Sequence, residues 1–404
     1  MKQLIFALAL LSHFSLTSQV LWQFNKDSVY TYDYTDGDEF NGEVPLKEKW
    51  SSWYGWARSI AWNKEQQYYS EFENHEVRDG CLYLKVIKQP VTKRLVDWMN
   101  DNDTIKDGNK FNGLNKRNFN YTSGMISSKI EYHKGYFEIK FKAPSEKGLW
   151  PAFWLYGGTP NEEIDFFELK GERPNQIHVD THCPDRCDYS NKFPGVKRSF
   201  GGWVKLKGRL DEGFNIVSGI WDDNEIRFYM NGKFIAVSKV TFNAPKKLVI
   251  NIAVAADDGP FKPGPDPKVE SFSPMIIDYV RVWYETDPSD KNERKKKPAF
   301  RSQPVNIPVT NLKTKRLPRF LYGKKKEHSN EGIFISLLRT ENNAELFCNG
   351  LSEGESYDLK IRDSSGKIVY SKSISDREFK VPEEYSTNTQ LEVTFNNKSA
   401  RYSL

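Results

Sequence analysis

Residues 148–182 read GLWPAFWLYGGTPNEEIDFFELKGERPNQIHVDTH, and the segment Glu163-Ile164-Asp165-Phe166-Phe167-Glu168 within them decides the reading. Side chains alternate along a β-strand, so Glu163 and Asp165 share a face. In a regular strand Glu168, five positions after Glu163, would point the other way. A one-residue β-bulge across Phe166-Phe167 restores the parity. It brings all three carboxylates to one cleft and leaves Ile164 and at least one phenylalanine in the core.

Strand patterning extends outward from this segment. Residues 81–87 (CLYLKVI), 135–142 (GYFEIKFK), 225–229 (EIRFY) and 276–283 (IIDYVRVW) alternate or nearly so. Met230-Asn231-Gly232-Lys233 carries the Asn-Gly hairpin signal. Long helical periodicity is missing, which predicts one all-β sandwich or barrel over residues 30–286. Residues 95–120, rich in Asn, Asp and Lys, read as a long insertion loop. Residues 287–330 read as a solvated basic linker, with 13 Lys+Arg against 3 Asp+Glu between Asp287 and Lys326. That local excess is larger than the +5 of the whole chain, so the rest of the protein is net negative. Strand patterns return over 331–404 and predict a small β domain.

The chain has 404 residues, including 11 Trp, 20 Tyr and 26 Phe, too aromatic for a disordered protein. Four cysteines exclude a disulfide scaffold. Repeated apolar runs of about 20 residues are missing, which excludes a polytopic membrane protein. Met1-Lys2, the apolar run 4–11 and the small or polar residues 15–19 read as an export signal over 1–19, cut near Ser18 or Gln19. This predicts a secreted, periplasmic or cell-surface protein with no integral membrane segment after signal removal and no nucleic-acid partner. Cys183 and Cys187 can bridge, whereas Cys81 and Cys348, in apolar runs, read as buried thiols.

Three clustered carboxylates push at least one pKa upward. A raised-pKa acid beside an ionised carboxylate is the pair that retaining glycoside hydrolysis uses, about 5–5.5 Å apart. The same residues also suit a calcium site or a solvated acidic strand face. Trp150 and Trp154 favour a sugar, because indole faces stack on the C–H faces of sugar rings; one of the two is expected in the core. His178, Asp180 and His182 alternate onto one face of the next strand, where His182 contacts substrate, supports Glu168 or is a structural histidine.

Trp150-Pro151-Ala152-Phe153-Trp154-Leu155 followed by residues 163–168 resembles glycoside hydrolase family 16, in the branch with a bulged motif. Asp38-Glu39-Phe40-Asn41 and residues 63–69 (NKEQQYY), 121–124 (YTSG), 135–138 (GYFE) and 278–282 (DYVRV) extend the resemblance from about residue 38 to 284. It implies a jelly-roll β-sandwich with an open cleft on the concave sheet. It also implies an endo-acting retaining glycosidase with Glu163 as nucleophile, Glu168 as acid/base and Asp165 between them.

Laminarinases, which cut β-1,3-glucans, are the most similar-looking members, through residues 63–69 and Gly124. Met125 stands where they often carry Arg, and the 95–120 insertion with Glu168-Leu169 is similar to carrageenases and agarases. A hydrolase of algal galactans is therefore the alternative, and a non-catalytic carbohydrate-binding protein the third reading. The expected partner is a polysaccharide, contacted by Trp56, Asn63, Trp150, Trp154 and His182, with the protein acting as a monomer. No cofactor is expected for catalysis; the resemblance implies a structural calcium near Glu39, Gly80 and Asp278. The last β domain resembles C-terminal sorting domains of exported proteins, through residues 364–370 (SSGKIVY) and Asn397-Lys398, and reads equally as a binding module.

Overall fold

The computed structural model describes residues 18–25, 29–42, 46–107, 111–158, 161–182, 201–240, 242–285, 332–339 and 343–404. Most of the expected export signal, the basic linker and the Cys183–Cys187 bridge lie outside them. Two antiparallel sheets stack face to face. One has seven strands, in the order Gly202–Lys205, Gln176–His182, Glu162–Glu168, Leu149–Gly157, Lys247–Val254, Met125–Ser128 and Trp50–Ser51. Opposite it run Lys233–Ser238, Ile226–Met230, Asn215–Trp221, Gly135–Lys142, Met275–Glu285 and Val29–Asp38. The period-2 pattern decides which side chains meet. Phe137, Ile139 and Phe141 point inward from one sheet onto Phe153, Leu155 and Ile164 of the other, all fully buried. This is the expected all-β jelly-roll sandwich.

The described residues of the insertion form strands, contrary to the loop expectation. Val91–Arg94 pairs with Lys116–Phe119, and beyond them Thr104–Asp107 pairs with Phe111–Leu114 as a hairpin. Composition hid these strands because they are two-stranded and mostly exposed, so polar residues cost nothing on either face.

The C-terminal strands, from Ile333–Arg339 to Lys398–Ser403, do not form a separate bead. Ser18–Phe24 pairs on one side with Val29–Asp38 of the sandwich and on the other with Ile333–Arg339 of the small domain. One sheet thus runs through both parts. Val20, Trp22 and Phe24 are buried in the small domain's core, while Leu21 and Phe334 pack on Tyr136, Tyr229 and Trp283 on the outer face of the sandwich. Each such burial is worth about 1.5–3 kcal/mol. Ser18 and Gln19, the expected cleavage positions, are the first residues of this bridging strand. Cys81 and Cys348 are free and buried, as expected. Among the described residues no helix is long and apolar enough to cross a membrane.

Candidate active site

Glu162–Glu168 lies between Leu149–Gly157 and Gln176–His182, and its register contains the bulge. Phe153 faces Phe167 but Trp154 faces Asp165; on the other side Asp165 faces Asp180 and Glu168 faces His178. Phe166 is the extra residue. Phe166 and Phe167 both turn inward, stacked on Phe137 and Phe141. Two consecutive inward rings are what a bulge allows and a regular strand forbids. Glu163, Asp165 and Glu168 consequently line one open cleft of about 710 Å³.

The two outer carboxylates have different surroundings. Glu163 and Asp165 face His182, whose Nε2 is 3.3 Å from Asp165, 3.8 Å from Glu163 and 3.8 Å from Asp180. Burial alone would depress the imidazole, but these carboxylates outweigh it and push His182 up to about 11, which favours its charged form. Burial, reinforced by the neighbouring carboxylates, raises Asp165 well above the usual range. Burial also raises Glu163, with the charge of Glu168 adding to it, while His182 and a hydrogen bond from Asp165 pull it back. Glu168 instead accepts from the Trp150 indole N–H at 3.1 Å and lies 3.0 Å from His178 Nδ1. His178 packs against Trp203 and Phe261.

Trp56, Asn63, Trp150, Trp154 and His182 all line the cleft. The two upstream tryptophans are not open platforms. Phe261 covers one face of Trp150 at 4.0 Å, and Trp154 donates to Asn251 at 2.8 Å with little surface exposed. His182 belongs to the Glu163 end of the cleft; His178, two periods of the strand alternation away, supports Glu168. Glu65 is a further cleft residue missed by the sequence reading. Its buried carboxyl accepts from Gln67 at 2.7 Å and the Ile60 backbone N–H at 3.1 Å, yet burial pushes it up to about 7. Phe261 carries no sequence signal, since it sits in an irregular Gly/Pro-rich stretch.

The side chains at the expected calcium position are held by cations of the chain itself. Asp278 forms a buried ion pair with Lys140 at 2.7 Å, and Glu39 is clamped by Arg281 at 2.7 and 2.8 Å. Gly80 sits in a left-handed turn and offers only its backbone. Resident cations already neutralise both carboxylates, which leaves backbone oxygens as the donors that these residues would offer a calcium ion. Glu163, Asp165 and His182 each present one ligand atom within 4.8 Å of the others. In the structure the His182 Nε2 is turned onto the two carboxylates, at 3.3 Å from Asp165 and 3.8 Å from Glu163.

The family profile described as "Beta-porphyranase A-D, GH16 domain" matches residues 34–285. The chain belongs to this family. Glycoside hydrolase family 16 thus accounts for the sandwich, the bulged strand and the cleft together. Among curated relatives, glucan endo-1,3-beta-glucosidase A1 of Niallia circulans is 27% identical over 288 residues, covering 61% of this chain and 37% of the relative. A beta-glucanase of Rhodothermus marinus is 28% identical over 278 residues, covering 61% of this chain and 83% of the relative. This chain therefore spans little more than a third of the Niallia protein. The solved endo-beta-1,3-glucanase of Pyrococcus furiosus is 26% identical, with 64% of this chain and 96% of that chain covered and a TM-score of 0.50.

Proposed function

We propose that this protein is a secreted, endo-acting, retaining hydrolase of a β-linked polysaccharide, working as a monomer. The bulge at Phe166 carries the reading, because it puts Glu163 and Glu168 on one wall of the cleft. Glu163, ionised beside the His182 cation, attacks the anomeric carbon while the Glu168 carboxyl protonates the departing glycosidic oxygen. An ester links the sugar to Glu163. Ionised Glu168 then takes a proton from water, the resulting hydroxide adds to the same carbon, and Glu163 leaves. Trp150 and His178 hold Glu168 in place through both steps. A proton on Asp165, directed at Glu163, favours the ionised nucleophile.

The family profile, which spans the whole sandwich, favours a galactan of porphyran type as the substrate. The Niallia and Pyrococcus relatives favour β-1,3-glucan as the second reading. Residues 1–19 support secretion. The test is reducing-end release from porphyran, agarose, carrageenan and laminarin, with proton NMR of the first products. Wild type should cleave one of them and release the β anomer, and Glu163→Gln or Glu168→Gln should nearly abolish this, with Asp165→Asn less harmful. An initial α anomer, or near-native turnover by Glu163→Gln, would overturn the mechanism.

A further inference from the structure

Trp98 sits on the insertion and is 65% exposed, the most exposed large apolar side chain among the described residues. Tryptophan is rarely left so open, because it has the most apolar surface to lose to water. The segment carrying it is nevertheless held rigidly. The fully buried Asn115 side chain donates to the carbonyls of Val96, Met99 and Asn100 at 3.0, 3.1 and 3.2 Å, and accepts from the Val96 N–H at 2.8 Å. Arg58 donates from Nε and Nη2 to Asp97 at 2.9 and 2.7 Å, and its backbone N–H reaches the Leu95 carbonyl at 2.8 Å. Leu95, Val96 and Phe119 bury themselves against Ala57 and Ala61. Seven hydrogen bonds and an apolar seat therefore fix a segment whose central indole points into solvent.

The direction in which it opens follows from its neighbours. Trp98 leans on Trp53 at 6.1 Å, and the Arg58 guanidinium lies 4.8 Å over the Trp53 ring. Three residues on, Trp56 lines the cleft, stacked on Trp62 at 5.3 Å and on Tyr54 at 5.0 Å. Trp56 also packs against the insertion's own apolar cluster. The 53–56 loop therefore carries one indole that lines the cleft, Trp56, and one that meets the insertion outside it, Trp53. Arg58 is engaged by Asp97 and Glu71, so the platform offers ring faces rather than a free cation.

We propose that Trp98, with Trp53 behind it, is a distal sugar-stacking subsite that binds a residue of the polysaccharide chain beyond Trp56. The proposal rests on the hydrolase reading above and adds that this enzyme favours long chains. Stacking on an exposed indole is worth about three- to tenfold in affinity.

The experiment compares wild type, Trp98→Ala and Trp98→Phe on the polysaccharide that wild type cleaves and on the shortest oligosaccharide of it that is still cleaved. Affinity electrophoresis in gels containing that polysaccharide, in the inactive Glu163→Gln background, gives binding without turnover. Trp98→Ala should raise KM for the polysaccharide about three- to tenfold with little change in kcat, shrinking the advantage of long over short substrates. Trp98→Phe should recover part of the loss. Equal losses on long and short substrates, or unchanged gel retardation, would overturn the subsite. A wild type inert on every glycan tested would overturn the hydrolase reading, and the subsite with it.

Discussion

Glu65→Gln isolates a single buried proton. The Glu65 carboxyl titrates at about 7 in the folded protein, against 4.5 for a free glutamate, because burial outweighs the hydrogen bonds it accepts. The folded pKa is the higher one, so between these values the native state holds a proton that the unfolded chain has released. Stability from this group is fully present below about pH 4.5 and is lost as pH rises through about 7. At about 1.4 kcal/mol per pH unit, the rise amounts to about 3 kcal/mol. Glutamine has nearly the same shape, keeps one oxygen for Gln67 or the Ile60 N–H, and does not titrate. The measurement is urea unfolding of wild type and variant across about pH 4 to 8, taken as the difference between the two so that other groups cancel. Wild type should lose about 3 kcal/mol relative to Glu65→Gln over that range, with no further change above it. A flat difference would refute the burial argument, and a difference of opposite slope would mean that the hydrogen bonds win.

Deleting Phe166 removes the extra residue, so Glu168 or the Glu163–Asp165 pair leaves the cleft and hydrolysis should fall to background; Phe166→Leu keeps the residue count and should retain activity, and equal activities would show the bulge to be dispensable. Trp22→Ala should cost about 3–5 kcal/mol and shift one unfolding transition shared by sandwich and small domain. Two calorimetric peaks, only one of them moved, would mean that the parts fold independently. Lys140→Met leaves Asp278 unpaired, and breaking a buried pair costs about 3–5 kcal/mol. Since Asp278 titrates at about 6, that cost should grow as pH rises above this value and fade below it, and EDTA should leave wild-type melting unchanged. A large EDTA effect would support a bound calcium instead.

Alternation and one parity argument made much of the site legible. Two carboxylates two apart and a third five away can share a face only through a bulge, and two consecutive phenylalanines name where it sits. Turn signals and strand periods likewise marked the sandwich and the small domain, because each depends on residues close together in the chain. What lies over a strand face is a different matter. Lys140 alternates out of GYFEIKFK like a solvated lysine; only the small domain, whose Ser336, Phe347 and Asn349 share a pocket of about 40 Å³ with it, makes it a buried partner for Asp278. His178 and His182 share a face in the sequence, and cross-strand register alone assigns one to Glu168 and the other to Glu163. Residues 18–24 pair with the nearby 29–33, but their other pairing, with 333–339, joins segments more than 300 residues apart. Local sequence determined periods, turns and the parity of the carboxylates, since these follow from backbone geometry over a few residues. Tertiary structure decided which charges are neutralised and which aromatic rings stay open, since both depend on surfaces brought together from distant parts of the chain.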